Sequence, residues 1–309
     1  MILFYLHSIR AKKIVIASKS KYFYPKNIGS YALAIAIMVV GLVAYGAWVR
    51  VSGSGLGCPD WPLCEGGVVP SNIAALIESG HRWYAGIVML CIFGLTLVTR
   101  KFKNQFPIGS KMAIGASVAV IIQALLGAIV VFTELNPLVR LVHLLLAMTI
   151  ILLLAITAFD FLSDIHYRKF FTGRARHLLI TSAAIILLGS SIVARKYSFS
   201  CIGIPLCGDI GIPEATILHD SHRTLAYILL LGTFFMTFKM WRANIRGIEL
   251  NLSILCSLIA FSQICLGLSA VFFGMPDILR ILHAGVASLL WLSYVSLWAI
   301  TSDLDTKKR

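Results

Sequence analysis

The chain has 309 residues, 59% of them apolar and 13% charged, whereas about a quarter of residues are charged in an ordinary water-soluble domain. This excludes a soluble enzyme of this size; a membrane span takes about 20 apolar residues, so the length holds eight spans with short connectors and no sizeable extramembrane domain. The excess of 27 Lys and Arg over 13 Asp and Glu, a formal +14, would raise the question of nucleic acid in a soluble protein, but in a membrane protein it is a question of which face carries the charge.

Residues 1–28 contain no acid and six basic residues from Arg10 to Lys26. The apolar stretch Met1–Leu6 is too short for a signal-peptide core, so this segment reads as a basic cytoplasmic tail held at an anionic leaflet. Long apolar runs then follow at about Tyr31–Val49, His81–Val98, Met112–Phe132 and Leu138–Phe159. Four more lie at about Leu178–Ala194, Ile217–Phe238, Leu250–Phe273 and Ile278–Ile300. The expected fold is all-α, with four helices in a bundle over residues 29–160, a cytoplasmic linker at 161–176, a second four-helix bundle at 177–301 and a basic tail at 302–309. With both termini on one side, 20 of the 27 basic residues fall on that face. The positive-inside rule makes it the cytoplasm, most simply of a bacterial inner membrane.

The chain is written twice. Cys58 and Cys64 recur as Cys201 and Cys207, displaced by 143, each pair closing on Pro-Leu-Cys. His81-Arg82 recurs as His222-Arg223, displaced by 141. The runs Gln123–Gly127 and Leu138–His143 recur as Gln263–Gly267 and Ile278–His283, both displaced by 140. Four features in one order, with nearly constant offset, imply two similar four-helix units. An even number of spans per unit gives parallel units related by a pseudo-two-fold axis along the membrane normal.

His81 and His143 then sit near the outer ends of two helices of the first unit, as do His222 and His283 in the second. Two imidazoles at one depth suit an iron porphyrin held by two axial histidines in a bundle core. A lone histidine in an apolar helix is usually an interior hydrogen-bonding residue, yet ionisable groups within membranes are costly and mark function, and here the pair occurs twice. Of seven outer Lys and Arg, Arg82 and Arg223 follow a histidine directly, while Arg140 and Arg280 lie three residues before one and so on its helix face. Guanidinium groups there suit haem propionates, whereas singly they would read as interfacial snorkelling residues. Zinc would want three or four ligands at one spot.

Cys58/Cys64 and Cys201/Cys207 lie in outer loops, where the compartment is oxidising, so each pair suits a disulfide. Neither has Cys-x-x-Cys spacing for a metal, and a redox role beside the structural one stays open for an exposed bridge. Cys91, Cys256 and Cys265 read as core thiols. The halves differ three residues before the first histidine: Glu78 in one, His219 in the other. Glu78 shares a helix face with His81 and could exchange a proton with a bound substrate; it could equally be an acid favoured by the helix macrodipole.

Taken together, Glu78-Ser-Gly-His81-Arg82, Gln123 to Gly127, His143, His222-Arg223, His283, the loop start Trp48–Cys58 and the outer cysteine pairs resemble the haem A synthase family from about Gly41 to Trp298. The resemblance implies oxidation of the C8 methyl of haem O to a formyl group, giving haem A. It implies haem O between His81 and His143, haem b between His222 and His283, Glu78 as the catalytic carboxylate, and a Cys58–Cys64 disulfide linked to activity. Implied partners are haem O synthase and an electron carrier or the quinone pool, with no nucleic acid; oligomeric state, a homo-oligomer included, stays open. The rival reading is a di-haem b protein exchanging electrons with quinol. A repeat-built transporter would place its polar groups near the bilayer midplane, whereas the conspicuous ones here crowd the outer end, with Gln123 and Gln263 the main exceptions.

Overall fold

The computed structural model describes residues 2–67, 70, 72–162, 169–208 and 210–302, with side chains described from residue 25 onward and, in the fifth helix, from residue 172. The described residues form eight long helices: α1 (Ile2–Val51), α2 (Ile73–Thr99), α3 (Pro107–Phe132), α4 (Pro137–Leu162), α5 (Lys169–Ala194), α6 (Pro213–Arg242), α7 (Ile248–Phe272) and α8 (Asp277–Thr301). All eight contain a segment long and apolar enough to cross a membrane, beginning in α1 at Pro25 and in α5 at Thr172. Among the described residues no strand forms; Cys64 and Gly67 make one isolated bridge.

Helix starts lie further out than the apolar runs indicate. α2 begins at Ile73 rather than at His81, and α6 at Pro213 rather than at Ile217. The additional turns carry polar residues that hydropathy discounts, and their starts are set by capping chemistry: Asn72 Oδ1 accepts the Ala75 N–H at 2.9 Å, and prolines begin α3, α4 and α6, where the missing N–H has no helical partner to lose. His81 and His222 therefore lie about two turns inside their helices rather than at the ends. The α3–α4 and α7–α8 connections are built alike, each turning through two consecutive residues of positive φ, Glu134-Leu135 and Gly274-Met275.

Helices α1 to α4 close into one ring through the pairs α1–α2, α2–α3, α3–α4 and α1–α4. Helices α5 to α8 close into a second ring in the same manner, and α1–α8, α4–α8 and α4–α5 contacts join the two. The densest packing lies in the halves of α4 and α8 remote from the cysteine loops, where most residues from Ala147 to Phe161 and from Ser288 to Thr301 are buried. There Trp291 Nε1 donates to the Met148 carbonyl at 2.8 Å, fastening one ring to the other. Buried hydroxyls find partners between helices: Tyr294 with Thr233 at 2.6 Å, and Thr237 with Ser253 at 2.7 Å and Ser257 at 3.0 Å, the contacts that hold helices together where the surroundings are as apolar as the side chains. Large apolar residues such as Leu97, Leu231 and Phe272 point outward, as a lipid-facing surface requires.

Two sequence expectations reach beyond the described residues. Residues 163–168 of the 161–176 linker and residues 303–309 of the final basic tail lie outside them, and α5 already begins within the expected linker, at Lys169.

Candidate functional site

Four histidines stand on the four even-numbered helices, all toward the end that carries the cysteine loops: His81 on α2, His143 on α4, His222 on α6 and His283 on α8. His81 lies within electrostatic reach of His143, and His283 within reach of His222, so the structure brings together the two pairs expected from sequence. Each ring faces a glycine of the preceding helix. A Cβ at Gly46 would lie 3.3 Å from His81 Cε1, one at Gly127 3.6 Å from His143 Cε1, one at Gly189 3.0 Å from His222 Cε1 and one at Gly267 3.2 Å from His283 Cε1. Glycine is thus what lets four helices approach the imidazoles. Gly127 and Gly267 lie within the repeated runs. Gly46 and Gly189 were not singled out in the sequence, although their displacement equals that of the cysteines, 143, and extending the repeat outward from the loops would have found them.

The polar atoms of this layer are mostly unpaired. Nδ1 of His81, His143 and His283 and Oε1 of Gln123 and Gln263 are buried without a hydrogen-bond partner. His222 differs, its Nδ1 lying 3.0 Å from the Ile185 carbonyl; donation there fixes the tautomer and leaves Nε2 as the free lone pair, the arrangement of a metal-binding histidine. Gln263 Nε2 lies 3.0 Å from the His283 carbonyl and 3.1 Å from His283 Nε2, so ligation through Nε2 requires this amide to turn aside. The edge of Tyr45 meets His81 at 5.6 Å between ring centroids. Buried imidazoles in pairs, with nitrogens unpaired, are the kind of donor that a bis-histidine haem site uses.

The loops are drawn onto the helices below them. Cys58–Cys64 and Cys201–Cys207 are disulfides, with Cα atoms 4.9 and 5.3 Å apart. Gly57 lies on the first turns of α2, where a Cβ would meet Ala74 backbone at 2.5 Å. Glu78, only 4% exposed, accepts the Cys58 N–H through Oε2 at 3.0 Å and pairs through Oε1 with Arg82 at 2.7 Å. Arg82 also donates to the carbonyls of Asp60, at 2.6 Å, and Leu63. Arg223 does the same in the second half, donating to the carbonyls of Gly203, Pro205 and Cys201. These two arginines, expected beside carboxylates of a bound porphyrin, are committed to loop carbonyls. Asp220, unremarked in the sequence, accepts the Cys207 N–H at 2.7 Å, so each half ties its loop to the next helix through a carboxylate one residue apart in register. His219, in the place of Glu78, bonds through Nε2 with the Tyr197 carbonyl at 2.9 Å. Among the described residues Cys201, Cys207 and His219 are the one cluster with metal-like spacing, but its two sulfurs are bonded to each other.

Outside the membrane segments, Asp60 accepts the backbone N–H groups of Gly66 and Glu65 at 2.8 and 2.7 Å. These bonds, that from Gly66 foremost, hold its carboxyl below the usual carboxylate range. Tyr197 donates to Glu214, which also pairs with Arg195, and its phenol is raised by that bond.

Residues 29–295 match the family described as cytochrome oxidase assembly protein. The chain belongs to this family. It is 30% identical over 290 residues to a haem A synthase of Alkalihalophilus pseudofirmus, a match spanning 88% of this chain and 97% of the relative. A haem A synthase of Macrococcus caseolyticus is likewise 30% identical over 290 residues, covering 86% and 94% of the two chains. One of Exiguobacterium sibiricum is 27% identical over 297 residues, covering 92% and 98%. All four histidines, Glu78 and both disulfides fall inside the matched haem A synthase region; only residues 1–28 and 296–309 lie outside it. With eight spanning helices and these bacterial relatives, this member of the haem A synthase family is a multi-pass integral membrane protein.

Proposed function

We propose that this chain oxidises the C8 methyl group of haem O to the formyl group of haem A. Membership of the haem A synthase family supports this over the di-haem electron carrier. The observation that carries the placement is the fourfold pattern of a histidine over a glycine, in two facing pairs, at one end of the bundle. Haem O binds as substrate between His81 and His143 in the unit spanning residues 29–160. The unit spanning 177–301 holds a haem b between His222 and His283, which when bound supplies one-electron transfer. The two units are related by an approximate two-fold axis along the membrane normal, with both termini in the cytoplasm of a bacterial inner membrane and the loops outside. Haem O synthase supplies the substrate, and an electron carrier or quinone takes the electrons.

The conversion R–CH3 + H2O → R–CHO + 4 H+ + 4 e− sets what the protein must do: admit water at one methyl, take up protons and conduct electrons away. Glu78 is the buried carboxylate of the first unit at this end of the bundle and accepts the proton. It lies about one turn from His81 on the same helix face, and the second unit has His219 in its place. Arg82 and the Cys58 N–H hold the carboxylate in one orientation, on the loop side of the porphyrin site. Arg140 and Arg280, one turn toward the loops from His143 and His283, offer guanidinium groups to propionates.

Glu78→Gln keeps an acceptor for the Cys58 N–H but cannot take up a proton. The variant should bind haem with an unchanged absorption spectrum and lose product by about 100-fold or more, the usual worth of a positioned base. Glu78→Ala should lose product equally and loosen the loop as well. Haem A formation at the parental rate by Glu78→Gln, measured by extraction and chromatography of the pigments, would overturn the role.

A further inference from the structure

One arginine at this end of the bundle falls opposite an apolar residue in the repeat. Arg50 is near the end of α1, where the displacement of 143 that relates Gly46 to Gly189 leads to Val193. α1 packs against both α4 and α8, so Arg50 stands where the two rings meet. The approach is close: a Cβ at Gly285 of α8 would lie 3.1 Å from Cβ of Ala44. From that contact Arg50 lies about a turn and a half toward the loops along α1, and Arg280 about the same distance along the antiparallel α8. Arg140 comes to the same level from α4, one turn above His143. The guanidinium groups of Arg280 and Arg140 both lie within electrostatic reach of that of Arg50. Arg280 has an acid, Asp277 at 2.8 Å, and lies 5.4 Å from the Phe199 ring centroid. Nε of Arg140 is buried without an acceptor, and no carboxylate pairs with Arg50 among the described residues. Three cations sharing one acid in a partly buried setting want further negative charge.

We propose that Arg50, Arg140 and Arg280 form one carboxylate-binding site shared between the two halves, in which Arg50 bridges propionates of both haems. The inference rests on the haem placement given above. Arg140 belongs to the His143 side and Arg280 to the His283 side; Arg50, on α1 of the first unit but packed at its seam with α8, is the charge common to both. It positions the carboxylate edges of the two porphyrins toward the same junction and couples the electrostatics of the two irons. Guanidinium geometry permits this, since one fork can hold carboxylate oxygens on two sides.

The test is an optical redox titration of purified Arg50→Gln in detergent, with extracted haem counted per chain. Loss of a nearby positive charge favours the oxidised iron, so the midpoint potentials of both haems should fall together. Arg140→Gln should move chiefly the haem lost in His143→Ala, and Arg280→Gln chiefly the haem lost in His283→Ala. Arg50→Lys keeps the charge and the fold and should hold both potentials near the parental values while releasing haem faster on washing, because a bidentate donor is gone. If Arg50→Gln cannot be purified, faster release of both haems from Arg50→Lys supports the shared site, and parental retention overturns it. Two haems present in Arg50→Gln with unmoved potentials, or a shift confined to one of them, would also overturn it; an anionic lipid headgroup at this place would give the unmoved result. Failure of the haem placement looks different, because haem would then survive replacement of the histidines.

Discussion

The glycines beneath the imidazoles permit a graded test. Adding one methyl at each places a carbon 3.0 Å from the ring at Gly189, 3.2 Å at Gly267, 3.3 Å at Gly46 and 3.6 Å at Gly127, against about 3.5–4.0 Å for a comfortable carbon contact. Gly127→Ala therefore fits, and gains about 0.5–1 kcal/mol of helix preference over glycine. Gly189→Ala is short by roughly half an ångström, and the His222 ring cannot yield freely, because its Nδ1 is bonded to the Ile185 carbonyl at 3.0 Å. Overpacking of this size costs about 1–3 kcal/mol, which falls on the bound state when the ring must hold a fixed direction toward iron. Haem affinity in the second half should drop by roughly 5- to 150-fold, with Gly267→Ala and Gly46→Ala between the extremes. The assay is haem retained per chain after detergent exchange, read beside the unfolding midpoint. Equal haem loss in all four variants, or greater loss in Gly127→Ala than in Gly189→Ala, would refute the steric reasoning.

Replacing Cys58 and Cys64 together by Ser should leave haem binding intact but depress product formation, since the N–H that orients Glu78 then sits on an untethered loop; parental turnover in a confirmed disulfide-free protein would contradict this. Trp291→Phe removes the donor to Met148, whose carbonyl keeps its own helical hydrogen bond, so the loss is that of one added bond, about 0.5–1.5 kcal/mol, to be read as a lower thermal midpoint in detergent with the haem spectrum unchanged. Asp60 carries the pH dependence of the first loop. Its folded carboxyl titrates below its unfolded value, so its contribution is present above about pH 4 and fades as pH falls through the depressed value. The rate at which a water-soluble phosphine, which needs no thiolate, opens Cys58–Cys64 should accordingly rise in that acid range, and in Asp60→Asn this rise should be absent.

The spanning helices were legible because apolar runs of membrane length have few alternatives, and the paired histidines because the sequence states them twice. Helix starts were not: α2 and α6 each begin with polar turns, capped by Asn72 or opened by Pro213, that a hydropathy boundary discards. Arg82 and Arg223 show a second limit. Spacing puts them beside histidines, but a guanidinium reaches far enough to choose among acceptors, and the nearest are loop carbonyls some 20 residues away in sequence. The partners of Glu78 and Asp220 were hidden for the same reason, since an N–H at Cys58 or Cys207 depends on loop conformation and leaves no residue-type signature. Tyr45 and Arg50 on α1 become meaningful only once the helices are arranged in space.

Between Glu78 and Arg82, little more than one turn of α2 secures the disulfide loop, bears the carboxylate, presents an imidazole and reaches back to the loop carbonyls. Such economy makes the segment brittle. A loss of turnover caused by any change within it carries almost no diagnostic value alone, because loop anchor, carboxylate and imidazole fail together. The corresponding turn of α6 has divided these duties differently, with His219 and Asp220 on the loop and His222 anchored to Ile185. Exchanging the two turns between halves would therefore separate what binding a porphyrin requires from what transforming one requires.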